Sequence, residues 1–155
     1  MKKILYTLLQ CTWGIIQTLV GLFVCLVHIS SPHYFYHGAI VTKTKGKTSV
    51  SLGLFVFTGT ELPKDKRVEH RIPDEEMEKR LLVHEYGHTI QSIILGPLYL
   101  IIIGLPSMIW AKTTYFSKKD IRTPYSNFYT ERWANHLGEK TTKEKSLEDA
   151  IISIY

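Results

Sequence analysis

The stretch LLVHEYGHTIQSIILGPLYLIIIGLPSMIW (residues 81–110) decides how the rest of the chain is read. Upstream of it, Asp74, Glu75, Glu76 and Glu78 place negative charge where a helix N-terminus favours it. From there Met77, Leu81, Leu82, Ile90, Ile93 and Ile94 recur at helical spacing, which predicts a helix from about Asp74 to about Leu95. Gly96-Pro97 ends it. The chain then stays apolar, with a second break at Gly104-Leu105-Pro106.

Inside the predicted helix lies HEYGH (His84 to His88), an H-E-x-x-H pattern. A helix turns once in about 3.6 residues, so His84 and His88 stand one above the other on one face. Two imidazoles so placed can hold one Zn²⁺ at about 2.0–2.1 Å. Glu85 is rotated off that axis, yet close enough to take a proton from a metal-bound water. Gly87 costs the helix about 1 kcal/mol against alanine, and its small size lets another backbone or a substrate come near the metal. Catalytic zinc takes three protein ligands, and His70, Asp120, Glu131 and His136 are the candidates for the third.

Residues 4–29 carry no Asp, Glu, Lys or Arg, a run longer than the roughly 20 apolar residues that span a bilayer. It is too long for a signal-peptide core, and no small-x-small cleavage site follows it. Residues 1–30 are therefore expected to be an uncleaved transmembrane anchor. Gln10 and Gln17 share a face by their seven-residue spacing and are expected to meet protein rather than lipid. Cys11 and Cys25 lie in the same run, about 21 Å apart on one helix, too far for a disulfide between them. The net charge of +5 is dispersed with no Lys/Arg cluster among aromatics, which argues against a nucleic-acid partner.

Tyr34, Phe35 and Tyr36 suit a membrane–water boundary. Ala39–Thr44 and Thr48–Phe57 are β-branched and aromatic, and Lys45-Gly46 between them predicts a β-hairpin. Gly53, in the middle of the second strand, suggests a bulge. A further helix is expected over Ser126–Leu137, closed by Gly138. Residues 141–155 read as a tail with a short helix opening at Ser146.

ERWAN (Glu131 to Asn135) has the form E-x-x-A-N. Together with HEYGH it resembles the gluzincin metallopeptidases, in which an H-E-x-x-H helix is followed by a second helix carrying a glutamate ligand. The resemblance covers about residues 38–140 and implies a zinc metalloendopeptidase. It assigns His84, His88 and Glu131 as metal ligands and Glu85 as general base. The family places an acidic residue one turn after the glutamate, where it orients a ligand histidine. Asn135 stands there instead, and an amide can still accept from a ring N–H. A tyrosine often stabilises the oxyanion in such enzymes, and Tyr129, then Tyr125, are the candidates. The family's substrate-binding edge strand would correspond to TSVSLGLFVF.

If residues 92–111 crossed a bilayer, His88 and Glu131 would emerge on opposite sides of about 30 Å of hydrocarbon and could not share an ion. The Gly-Pro breaks instead predict a re-entrant or interfacial hairpin that returns to the same side. The expected architecture is α+β. An N-terminal membrane helix precedes a small hairpin or sheet on an active-site helix and a second ligand helix, within a metallopeptidase-like domain over 31–140. Peptide or membrane-protein substrates and a lipid bilayer are the implied partners. The rival reading is a non-catalytic, metal-binding membrane protein.

Overall fold

The long helix runs from Asp74 to Leu95 in the computed structural model, which describes residues 3–46, 48–60, 73–116 and 128–147. With α1 (Lys3–Thr12) and α2 (Ile15–Val27) before it, this helix is α3. A 3₁₀ turn (Gly96–Leu98) and a π-helical turn (Leu100–Gly104) lead into α4 (Leu105–Phe116). The last described helix, α5, spans Tyr129–Thr142 and packs along α3. The α+β class is as expected.

The four strands are β1 (His33–Tyr36), β2 (Ala39–Thr44), β3 (Val50–Leu52) and β4 (Phe55–Gly59), in sheet order β1-β2-β4-β3. The hairpin expected across Lys45-Gly46 is not formed. β2 pairs in parallel with β4, with Val41 opposite Val56, and the chain crosses to the far edge to lay down β3 first. The antiparallel partner of β2 is β1, joined through His37-Gly38, so Tyr34 to Tyr36 form an edge strand. Gly53 is not a bulge either. It sits in the two-residue turn between Leu52 and Phe55 with φ +61°, a conformation natural to glycine. All five β4 residues are buried, as a central strand with a parallel neighbour requires. Val41, Phe55, Val56 and Phe57 meet Leu82, Tyr86 and Ile90 of α3, so the sheet backs the helix that carries HEYGH.

The unbroken helix expected over residues 4–29 is replaced by two, bent by 97° between Thr12 and Ile15. Gly14 at the bend is a weak helix former. The bend turns both glutamines onto α3. Gln10 Nε2 donates to the Thr89 carbonyl at 2.9 Å and Gln10 Oε1 accepts from Ser92 Oγ at 3.0 Å. Gln17 Nε2 donates to Ser92 Oγ at 2.7 Å and to the Gly96 carbonyl at 3.0 Å. A straight helix would give up these buried bonds, each worth about 1 kcal/mol net. Among the described residues no single helix is long and apolar enough to cross a membrane. The bend also separates the cysteines: Cys11 is exposed and Cys25 buried.

Beyond α3 the chain reverses at Gly96–Leu98, the axis of Leu100–Thr113 lying 118° from that of Asp74–Leu98. Gly104-Leu105-Pro106 does not reverse it again, and the π turn passes directly into α4. Gly138 is not a helix stop. A Cβ there would lie 3.1 Å from the Val83 carbonyl carbon, and a Cβ on Gly87 would lie 2.6 Å from that of Ala134. These two glycines let α3 and α5 touch backbone to backbone, and α5 ends instead at Lys143. The tail helix after Ser146 lies largely outside the described residues.

Candidate metal centre

Close contact between α3 and α5 brings together three residues far apart in sequence. His84 Nε2 lies 3.2 Å from Glu131 Oε2, and His88 Nε2 lies 3.5 Å from the same oxygen. The two rings are 4.8 Å apart and nearly perpendicular, so their nitrogens converge. One ligand atom from each residue fits within 4.8 Å of the others, and the group could hold a metal ion. Two ligands bound tetrahedrally at 2.0–2.1 Å stand about 3.3 Å apart, close to the separation of Glu131 Oε2 from each histidine nitrogen. The donor set of two imidazoles and a carboxylate suits zinc or a similar divalent transition metal.

The far sides of both rings are held. His84 Nδ1 is 2.7 Å from Asn135 Oδ1, and His88 Nδ1 is 2.7 Å from Gln91 Oε1. Gln91 Nε2 donates to the Thr130 carbonyl at 2.8 Å, so its oxygen must accept from His88. With N–H at Nδ1, each ring presents its Nε2 lone pair to the point where Glu131 lies. Glu131 is itself fixed through Oε1, which accepts from Thr130 Oγ1 at 2.9 Å and from Ser107 Oγ of α4.

The cluster is almost sealed, with Glu131 only 1% exposed. Burial opposes ionisation of Glu131, but hydrogen bonds and charge from His84 and His88 outweigh it and hold the carboxyl well below the usual carboxylate range. Burial likewise opposes the His88 imidazolium, but Glu131, Glu85 and Gln91 together raise its pKa above the ordinary value. The arrangement attracts positive charge, whether a proton shared with Glu131 or a metal ion.

Glu85 is buried on the neighbouring face of α3. Its Oε2 accepts from Ser51 Oγ of β3 at 2.6 Å, and its charge is felt at His88. The edge strand next to α3 therefore orients the proposed base. Tyr129 is not brought to the cluster: half exposed, its hydroxyl donates to the Ile102 carbonyl at 2.8 Å. Tyr99 is the buried tyrosine whose hydroxyl meets the strand that holds Glu85. It lies within electrostatic reach of Glu85 and Glu131, and its hydroxyl donates to the Ser51 carbonyl at 3.3 Å. Tyr125, His70 and Asp120 lie outside the described residues. His136 is exposed on α5 and takes no part in the cluster.

Sequence reasoning missed Gln91, Ser51, Tyr99 and Ser107. Gln91 alone left a local signal, a polar residue one helical turn after His88 in an apolar helix. The other three reach the site only through tertiary contact. No protein-family model matches the chain, and no match is found among curated proteins or solved structures.

Proposed function

We propose that this chain is a membrane-associated zinc metallopeptidase of gluzincin type that hydrolyses peptide bonds close to a membrane surface. The observation that carries the reading is the convergence of His84 Nε2, His88 Nε2 and Glu131 Oε2 at metal-ligand spacing, with both Nδ1 atoms already committed. His84, His88 and Glu131 would hold a zinc ion, which when bound would supply Lewis-acid polarisation of a substrate carbonyl and acidify a water. The chain supplies the rest. Glu85, held by Ser51, accepts the water's proton and returns it to the leaving amine. Tyr99 O–H, which donates to the Ser51 carbonyl in this structure, would serve a developing oxyanion by exchanging that partner. Asn135 and Gln91 fix the ligand rings with neutral amides, so neither adds negative charge to the centre.

Membrane association is supported by the outward side chains of the first two helices. Leu5, Leu8, Leu19, Phe23 and Val27 are exposed, while the polar Gln10 and Gln17 face inward. So many exposed apolar side chains on these helices favour an interaction surface, and residues 4–29 carry no Asp, Glu, Lys or Arg. The two bent helix pairs are apolar enough to enter a bilayer as broken or re-entrant segments.

Glu85→Gln tests the reading. The variant should keep its metal and lose hydrolysis of a peptide substrate, and chelation should abolish hydrolysis by the unaltered protein. Hydrolysis that survives in Glu85→Gln would remove the mechanism. The burial of the cluster favours a second reading, a metal-binding membrane protein without catalysis. Zinc-loaded protein that hydrolyses no peptide in a bilayer would decide for it.

A further inference from the structure

The segment that follows α3 has two unlike faces. Tyr99, Ile103 and Ser107 recur every four residues and point inward. Tyr99 reaches the Ser51 carbonyl, Ile103 is 1% exposed, and Ser107 bonds the ligand Glu131. On the other face Leu98, Ile101, Leu105, Met108 and Ile109 are exposed, Ile101 at 66%. These contacts bring the segment against the buried cluster: Ser107 donates to the ligand Glu131, and Tyr99 reaches Ser51, which also bonds Glu85. A third polar contact, from the Tyr129 hydroxyl to Ile102, fastens it to α5. Its backbone includes a π-helical turn, a rare form that is frequent at functional sites.

We infer that residues 96–113 form a gate over the metal centre, and that a lipid bilayer engages its outer face to open it. The inference rests on the proposed metallopeptidase reading and adds how its site is regulated. Three observations favour lipid as the occupant. Residues 90–111 contain no Asp, Glu, Lys or Arg. The gate begins at Gly96, whose carbonyl accepts from Gln17 of α2, so it starts beside a helix whose outward side chains are also apolar. Lys112, which follows, is exposed where a headgroup-level charge is expected. In water the outer face gains nothing by moving, and the polar contacts of Gly96, Tyr99, Ile102 and Ser107 help keep the gate shut. Against a bilayer, each apolar side chain drawn into lipid favours the displaced position. A substrate that reaches the zinc would then be one presented at the membrane.

The test uses the full chain in nanodiscs of phosphatidylcholine and phosphatidylglycerol. Zinc content is measured first, and a chain that binds none would refute the metallopeptidase reading itself. With zinc bound, its removal by a water-soluble chelator reports access to the centre. Ile101→Gln together with Ile109→Gln should leave zinc content unchanged and slow removal several-fold. Tyr129→Phe, which frees one fastening, should speed it. Equal rates in all three proteins would overturn the gate. Spin labels on cysteines placed at Ile101 and Ile109 should be relaxed by oxygen and not by an aqueous nickel complex. Labels reached by the nickel complex, or shielded from both, would overturn lipid as the occupant, the second result pointing to a protein. If the double variant fails to fold, Met108→Gln replaces it with the same readouts.

Discussion

Gly87→Ala is the most informative single substitution in this chain. At an open helical position, alanine in place of glycine stabilises by about 1 kcal/mol. At Gly87 the new methyl would fall on the carbonyl oxygen of Ala134 and lie 2.6 Å from its carbon. Carbon atoms in contact stand about 3.5 Å apart, so α5 must retreat by about 1 Å. Overpacking of this kind costs about 1–3 kcal/mol, and a clash against backbone belongs at the upper end. Net destabilisation of about 2 kcal/mol should lower the melting temperature by about 4–8 °C. The same retreat carries Glu131 away from both histidines. Nε2–Oε2 separations of 3.2 and 3.5 Å would grow to more than about 4 Å, beyond what one tetrahedral ion bridges. Zinc affinity should fall at least about tenfold, or 1.4 kcal/mol. Thermal unfolding and competition with a chromogenic chelator measure the two effects. Gly104→Ala is the internal control, since its nearest neighbour to a new Cβ is a side-chain carbon at 3.5 Å. It should be neutral or mildly stabilising with unchanged zinc affinity. If Gly87→Ala behaves like Gly104→Ala, the backbone contact between the ligand helices is not what sets the metal geometry.

Two further outcomes follow from the packing of the first helices and from the reversal at Gly96. Gln10→Ala removes two buried hydrogen bonds and should destabilise by about 2–3 kcal/mol in denaturant unfolding, whereas Gln10→Leu at full stability would mean that this face of α1 meets lipid. Cysteines at the exposed Lys79 and Lys140 should be labelled by an impermeant thiol reagent from the same side of oriented vesicles, because both belong to helices that must share one ion. Labelling of only one would mean that the chain crosses between them, and Glu131 would lose its place in the site.

What could be read in the sequence was what local chemistry determines. The bounds of α3 follow from its acidic first turn and from Gly96-Pro97, and the structure reproduces them. The His84–His88 pairing follows from helical spacing. Glu131 was reachable through the form of ERWAN, although nothing local says that Ala134 must lie against Gly87. The sheet was misread because Lys45-Gly46 is a genuine turn signal, while the β2–β4 pairing that wins is parallel and non-local. The apolar run LFVF (residues 54–57) is a clue to that pairing, since a central strand buried on both faces shows no alternation. Gly138 was read as a stop because helix-ending and helix-crossing glycines look alike in one dimension. The bend at Gly14 was hidden for a related reason. Hydropathy sees an unbroken run, and only the partners of Gln10 and Gln17 on α3 show why it folds back.

The central claim is that His84, His88 and Glu131 hold one metal ion together. Elemental analysis of the purified chain after exhaustive dialysis tests it most directly. The account predicts about one zinc per chain, as for other three-ligand sites, and a large loss in each of His84→Ala, His88→Ala and Glu131→Ala. A wild-type chain without metal, or full zinc content in Glu131→Ala, would contradict it.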